Sequence, residues 1–227
     1  MIKAIFLRKP GFPSPVTLHH WLLVSSGFSC LLLAARMIAT ESLEYIFLPW
    51  NLFLAFVPYW ITQLVTGRID FIENRWKLFL TVVVWLLFIP NAFYIITDLV
   101  HFTRVRSAPK WFDLLLIFSF AWNGIMFGIV SLRKVEVISA VIRGKHFSVM
   151  LVFAVMWLNA LGIYIGRYLR FNSWDIITDP FSLVSEISDL LFNPVQNGVA
   201  WGMTFCYAVF MTLLYLSVKK LGESFTG

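Results

Sequence analysis

Pro90-Asn91-Ala92-Phe93-Tyr94-Ile95-Ile96-Thr97-Asp98-Leu99-Val100-His101 closes an apolar run that begins near Lys77. A run of that length, rising ~1.5 Å per residue as a helix, crosses the ~30 Å hydrocarbon core of a bilayer. At ~100° per residue, Asn91, Tyr94, Asp98 and His101 fall within one arc of roughly 80°. An amide, a phenol, a carboxylate and an imidazole therefore point one way. Such groups are costly against lipid and belong toward the bundle interior or water. Pro90 removes one backbone hydrogen bond and predicts a kink just before the polar seam.

The rest of the chain repeats the pattern. Of 227 residues, 59% are hydrophobic and 13% charged, about half the charge of a soluble domain, where ~25% is usual. That excess exceeds what a soluble core of this size can bury. Six apolar runs are spaced along it, near Trp21–Ala39, Tyr45–Thr66, Lys77–Val100, Trp111–Leu132, Phe147–Arg170 and Gly198–Val218. Each is long enough to span. The expected fold is all-α, a polytopic bundle of six transmembrane helices at residues 21–218, with a basic arm at 1–20 and a tail at 219–227. Cys30 and Cys206 read as small core hydrophobes, not a disulfide.

Six spans put both termini on one side. Lys and Arg on that side (the arm, the second-to-third and fourth-to-fifth connections, the tail) number twelve of eighteen, which predicts cytoplasmic termini. The net charge of +6 is thus a topology signal and not a nucleic-acid footprint. Trp50, Trp111, Trp174 and Trp201 then mark the outer interface, and Trp21 and Trp76 the inner one. Residues 134–145 alternate basic and apolar side chains, as a short helix on the inner leaflet would. The outer loop, 171–197, contains a helix capped by Asp179 and opened by Pro180, with Phe181, Val184, Ile187 and Leu191 on one face.

With this topology the seam sits at the outer end of the third helix. The fifth ends there too, with Asn159, Gly162, Gly166, Arg167 and Arg170, followed by Asn172, Trp174 and Asp175. Gly162 and Gly166 form a small-xxx-small pair for close helix approach. Asn51, Asn91, Asn123 and Asn159, one on each of helices two to five, are expected to converge on a polar chamber open to the outside. The inner halves of the helices look sealed by Leu, Val and Phe.

The candidate chemistry follows from these groups. Asp98 and His101 are the expected catalytic acid–base pair, or a metal pair at helical i, i+3 spacing with Asp113 or Asp175 as a third ligand. Asn91, Tyr94, Asn123, Arg167, Arg170, Asn172 and Asp175 are the expected substrate contacts, with the two arginines on a negative group. No HExxH, P-loop, dinucleotide fingerprint or G-x-S-x-G accompanies them, so a cofactor is not specified.

Several of these motifs together resemble the DUF1361 family of bacterial membrane proteins. They are Pro90–Tyr94 with Thr97–His101, Asn51–Ala55, Ser119–Gly124, Gly162–Arg167 and Asn172–Asp175. The likeness covers about residues 45–215 and departs at Phe93, where the family pattern has a second proline. It implies a multi-pass protein of the bacterial inner or plasma membrane, and no activity. The expectation is a site at the outer face for an anionic or lipid-linked substrate. The alternatives are a small transporter, with the asparagines lining a path, or a non-catalytic scaffold or assembly factor, with the seam as packing glue.

Overall fold

The computed structural model describes residues 15–68, 74–103, 108–171 and 175–224, and the regular structure in them is helical throughout. In chain order these are α1 (Pro15–Thr40), α2 (Phe47–Gly67), α3 (Arg75–Tyr94) running into a 3-10 helix (Ile95–Thr103), and α4 (Lys110–Arg143). Then come α5 (Lys145–Tyr164) with a π-helical turn (Ile165–Leu169), α6 (Asp175–Thr178), α7 (Pro180–Phe192) and α8 (Gly198–Ser224). Residues 1–14 of the basic arm, with Arg104, Arg106, Asn172 and Trp174, lie outside the described residues, and the arm's last six residues already belong to α1.

Five helices are long and apolar enough to cross a membrane: 18–40, 75–102, 110–143, 145–169 and 198–224. The helix over the remaining expected span, α2, has 21 residues, about 32 Å at 1.5 Å per residue. Its length is sufficient, but Pro49, Trp50, Asn51, Pro58, Tyr59 and Gln63 dilute its apolar character. Its buried face, Leu48, Leu52, Ala55, Tyr59 and Thr62, has the period of a packed helix and lies against α3 and α4.

The bundle is built around α4, which packs on α1, α2, α3 and α5. Two apolar clusters fill it. One joins Trp85, Ile89 and Phe93 to Ile125, Ile129 and Met156. The other joins Leu22 and Tyr45 to Leu116, Ile117 and Phe120. Around the outside, Leu31, Phe79, Leu80, Met150, Phe153, Phe210 and Leu213 are exposed. A soluble protein does not tolerate so much contiguous apolar surface; lipid does.

Side-chain pairs fix which ends lie together. His19 bonds Tyr59 at 2.9 Å, Lys134 bonds Gln63, and Lys219 bonds Glu136 at 2.6 Å. So the start of α1 and the ends of α2, α4 and α8 share one end of the bundle. The ends of α1, α3 and α5 share the other with the start of α4: Arg36 bonds Asp113 and Arg167 bonds His101.

Local sequence explains the boundaries. Asn74 caps α3 by accepting from the Trp76 and Lys77 amides, at 3.0 and 3.2 Å, which satisfies two of the free donors of the first turn. Gly144, at φ 92°, ends α4 and opens α5, a conformation that a side chain disfavours.

Close helix contact depends on α4's glycines. A Cβ on Gly124 would lie 2.5 Å from Ile95 Cγ2 and 3.2 Å from the Ala92 carbonyl oxygen. Gly124→Ala is therefore expected to cost about 1–3 kcal/mol by overpacking, read as a lower thermal midpoint in detergent. Gly162 and Gly166 do what the small-xxx-small spacing predicts: Gly162 faces Pro90 and Gly166 faces the Tyr94 ring.

Two expectations are corrected. Residues 134–143 are not a separate surface helix but the continuation of α4, 34 residues long. At ~51 Å it is longer than a ~30 Å hydrocarbon core, and Arg133, Lys134 and Arg143 lie in its last third. Cys30 and Cys206 are free but exposed on the perimeter, since a small thiol is as compatible with lipid as with a core. Asp179 caps α7 as expected, accepting from the Ser182 amide; Phe181, Val184 and Leu191 lie on its outward side, while Leu183 and Leu190 are buried.

Asp189 on α7 accepts from Asn193 and Asn197, at 2.6 and 3.0 Å. These amide donors, Asn197 first, hold its carboxyl below the usual range. Trp201 Nε1 donates to the Leu190 carbonyl. Together they fasten α7 to the start of α8.

Candidate functional site

Five residues after Pro90, at Ile95, the α3 ladder tightens into a 3-10 helix. Asn91 turns its amide onto the Phe88 carbonyl at 3.1 Å, and the Thr97 hydroxyl donates to the Tyr94 carbonyl at 2.7 Å. The 3-10 period of three residues eclipses positions i and i+3, so Asp98 and His101 stay on one side. The expected α-helical arc thus gives way to a tighter stack.

Across from the stack stands Arg167, on the π-helical turn of α5. Its Nη1 lies 3.6 Å from Asp98 Oδ1 and 3.4 Å from the Tyr94 hydroxyl. Its Nη2 donates to the Thr97 carbonyl at 3.3 Å and to His101 Nε2 at 3.0 Å. A guanidinium has only donors, so His101 Nε2 must accept, which puts the neutral ring's proton on Nδ1. The other carboxylate oxygen of Asp98 accepts from Asn51 Nδ2 at 2.8 Å. Asp98 is 1% exposed, so this pair of partners compensates its burial.

Two cavities flank Tyr94. One, about 550 Å³, is lined by Tyr94, Thr97, His101, Arg167, Arg170 and Tyr207, among others. The second, about 270 Å³, lies between α2, α3, α5 and the loop helices, with Asn51 and Asn91 on one wall and otherwise mostly apolar lining. Tyr94 and Gly166 line both.

Arg170 ends the π turn in the left-handed conformation, φ 63°. Strained backbone of this kind concentrates at functional sites. Its side chain is exposed and has no carboxylate partner among the described residues.

The expected residues divide as follows. Asp98, His101, Tyr94 and Arg167 are brought into contact, and Arg170 shares their cavity. Asn91 lines the apolar cavity. Asn123 lines neither: it is fully buried and donates to Ser29 on α1 at 3.0 Å and to the Ser119 carbonyl at 2.9 Å. Asn159 is also buried, with no partner for either end of its amide among the described residues. The four asparagines therefore do not converge on one chamber. Asp175 accepts from Thr178 at the head of α6 and lines neither cavity. Asp113 is held by Arg36. Among the described residues no group of three His, Cys, Asp or Glu side chains is arranged to hold a metal.

A family model described as "Protein of unknown function (DUF1361)" matches residues 50–216. The chain belongs to this family. Neither a curated protein nor a solved structure matches it. The DUF1361 match takes in both cavities and every residue in contact with Arg167.

Two further polar clusters escaped the sequence reading. At the α1–α4 end, Arg36 Nε donates to Asp113 Oδ1 at 2.7 Å and Nη2 to Glu44 at 3.2 Å, with the guanidinium 4.4 Å from the Tyr45 ring centroid. At the far end of the bundle, Glu136 is buried on α4 and accepts from Arg133, Tyr215 and Lys219. The charged groups are thus not confined to one end of the bundle. Glu136 did leave a signal: it is the one acid in an otherwise basic and apolar stretch.

Proposed function

We propose that this DUF1361 protein is a six-span membrane protein, termini cytoplasmic, whose outer-end chamber binds the anionic group of a lipid or lipid-linked molecule. Arg167 carries this reading. It lies on the wall of the larger cavity, one-fifth exposed at the side chain, held by four polar partners and joined there by Arg170. A preorganised guanidinium beside a second cation is what a phosphate or carboxylate requires. Its loosest contact, 3.6 Å to Asp98, is the one an incoming anion can replace. When Arg167 turns to that anion, His101 Nε2 is left open to accept a proton, so His101 is the general base of the site, and Asp98 holds the arginine at rest until the anion displaces it.

The ion-paired Glu136 cluster fills the opposite end of α4, which supports a site reached from one side over a path through the bundle. The test is isothermal titration of the detergent-purified protein with water-soluble dihexanoyl phosphatidic acid. Wild type is expected to bind. Arg167→Gln loses a charge-assisted bond of about 1.5–3 kcal/mol, hence roughly 10–100-fold in affinity. Equal affinity in both proteins overturns the reading.

A further inference from the structure

The smaller cavity is unexplained by an anion site. Its walls are Leu54, Leu86, Leu87, Pro90 and Ile165, roofed by Leu183 and Ile187 of α7, and its about 270 Å³ is near the lower bound of ordinary ligand pockets. It adjoins the arginine cavity along a shared wall, where the Tyr94 ring stands against Gly166; a Cβ on Gly166 would come 3.3 Å from Tyr94 Cε2. A slot that is apolar away from Asn51 and Asn91, beside a cationic chamber and covered by an amphipathic helix with an apolar outer face, has the polarity of a lipid seen end-on.

We propose that this slot holds the hydrocarbon chain of the same ligand whose anionic group Arg167 and Arg170 bind. The site then takes an anionic amphiphile, headgroup and chain on opposite sides of Tyr94, and α7 is the cover of the chain. This rests on the anion reading above and adds where the chain of that ligand is held. Headgroup complementarity gives the ligand its register, and burial of the chain gives the affinity that a free phosphate lacks.

The experiment uses the full chain in phosphatidylcholine nanodiscs containing phosphatidic acid with a photoactivatable diazirine on its acyl chain. Cross-linked peptides are mapped by mass spectrometry. Labelling is expected on segments carrying Leu54, Leu86 and Ile187, and is expected to fall at least tenfold in Ile187→Trp, which fills the slot from the peripheral helix. Labelling spread evenly over the perimeter, at Phe79 and Phe153 as much as at Leu86, overturns the proposal. If it does so while the dihexanoyl lipid still binds through Arg167, only the chain site fails. If the dihexanoyl lipid does not bind either, the anion reading fails with it. Wild-type mapping decides the question even if Ile187→Trp does not fold.

Discussion

Asp113→Ala is expected to destabilise the protein by about 3–5 kcal/mol, the cost of stranding one member of a buried ion pair. Arg36 is 1% exposed and so is Asp113, and their 2.7 Å bond joins α1 to the start of α4, 77 residues apart in sequence. Without the carboxylate, Arg36 keeps Glu44, but that partner's side chain is 46% exposed, and an exposed carboxylate contributes little. Tyr45, stacked under the guanidinium, cannot neutralise it either. The double substitution Arg36→Met with Asp113→Leu removes both charges and fills a similar volume, and is expected to recover most of the loss, because apolar replacement of a buried pair is often neutral or favourable. Thermal unfolding in detergent of the wild type, both single variants and the double closes the cycle. A double variant as unstable as Asp113→Ala would show that the pair matters for more than charge balance.

That pair also shows how far the sequence carries. Periodicity and run length set the helices, because a span must be apolar over a fixed distance whatever it packs against. Hence the long helices, five of them apolar enough to span, the α7 cap and the Gly162–Gly166 contact were legible. Partners across helices were not. Arg36 reads as one more outer-face cation, and Asp113 as a free carboxylate near a helix start, until packing seats α1 against α4. The same packing turns Asn123 toward Ser29 and away from the chamber. Residues 134–145 misled for another reason. Basic and apolar side chains alternate equally in a surface helix and in a spanning helix that overruns the membrane, and only the ladder's continuity to Arg143 separates the two. At the candidate site the residues were legible and their geometry was not. Asn91 to His101 were chosen on an α-helical arc, whereas the chain there is 3-10 beyond Tyr94. Arg167, set on a π turn, becomes the hub that joins Asp98, Thr97, Tyr94 and His101.

Asp98→Asn is expected to tighten anion binding by roughly 10–100-fold, the opposite sign to Arg167→Gln. At 3.6 Å and an effective dielectric of about 20, the Asp98–Arg167 attraction is of order 4–5 kcal/mol. An anion entering the chamber must compete with it, and water at the one-fifth-exposed arginine screens part of it. Asparagine keeps the volume and can still accept from Asn51, so the fold is expected to survive with a loss of about 1 kcal/mol, the worth of an ordinary hydrogen bond. What disappears is the negative charge that holds Arg167 at home. The chamber then presents Arg167 and Arg170 uncompensated, and the gain should shrink as salt is raised. Turnover follows a different course: without Asp98 to draw Arg167 back, the anion is released slowly, so any reaction based on His101 should slow while binding improves. Titration with dihexanoyl phosphatidic acid at two salt concentrations gives the sign directly. If Asp98→Asn weakens binding while its melting temperature stays near wild type, the carboxylate is required to aim the guanidinium and does not compete for it.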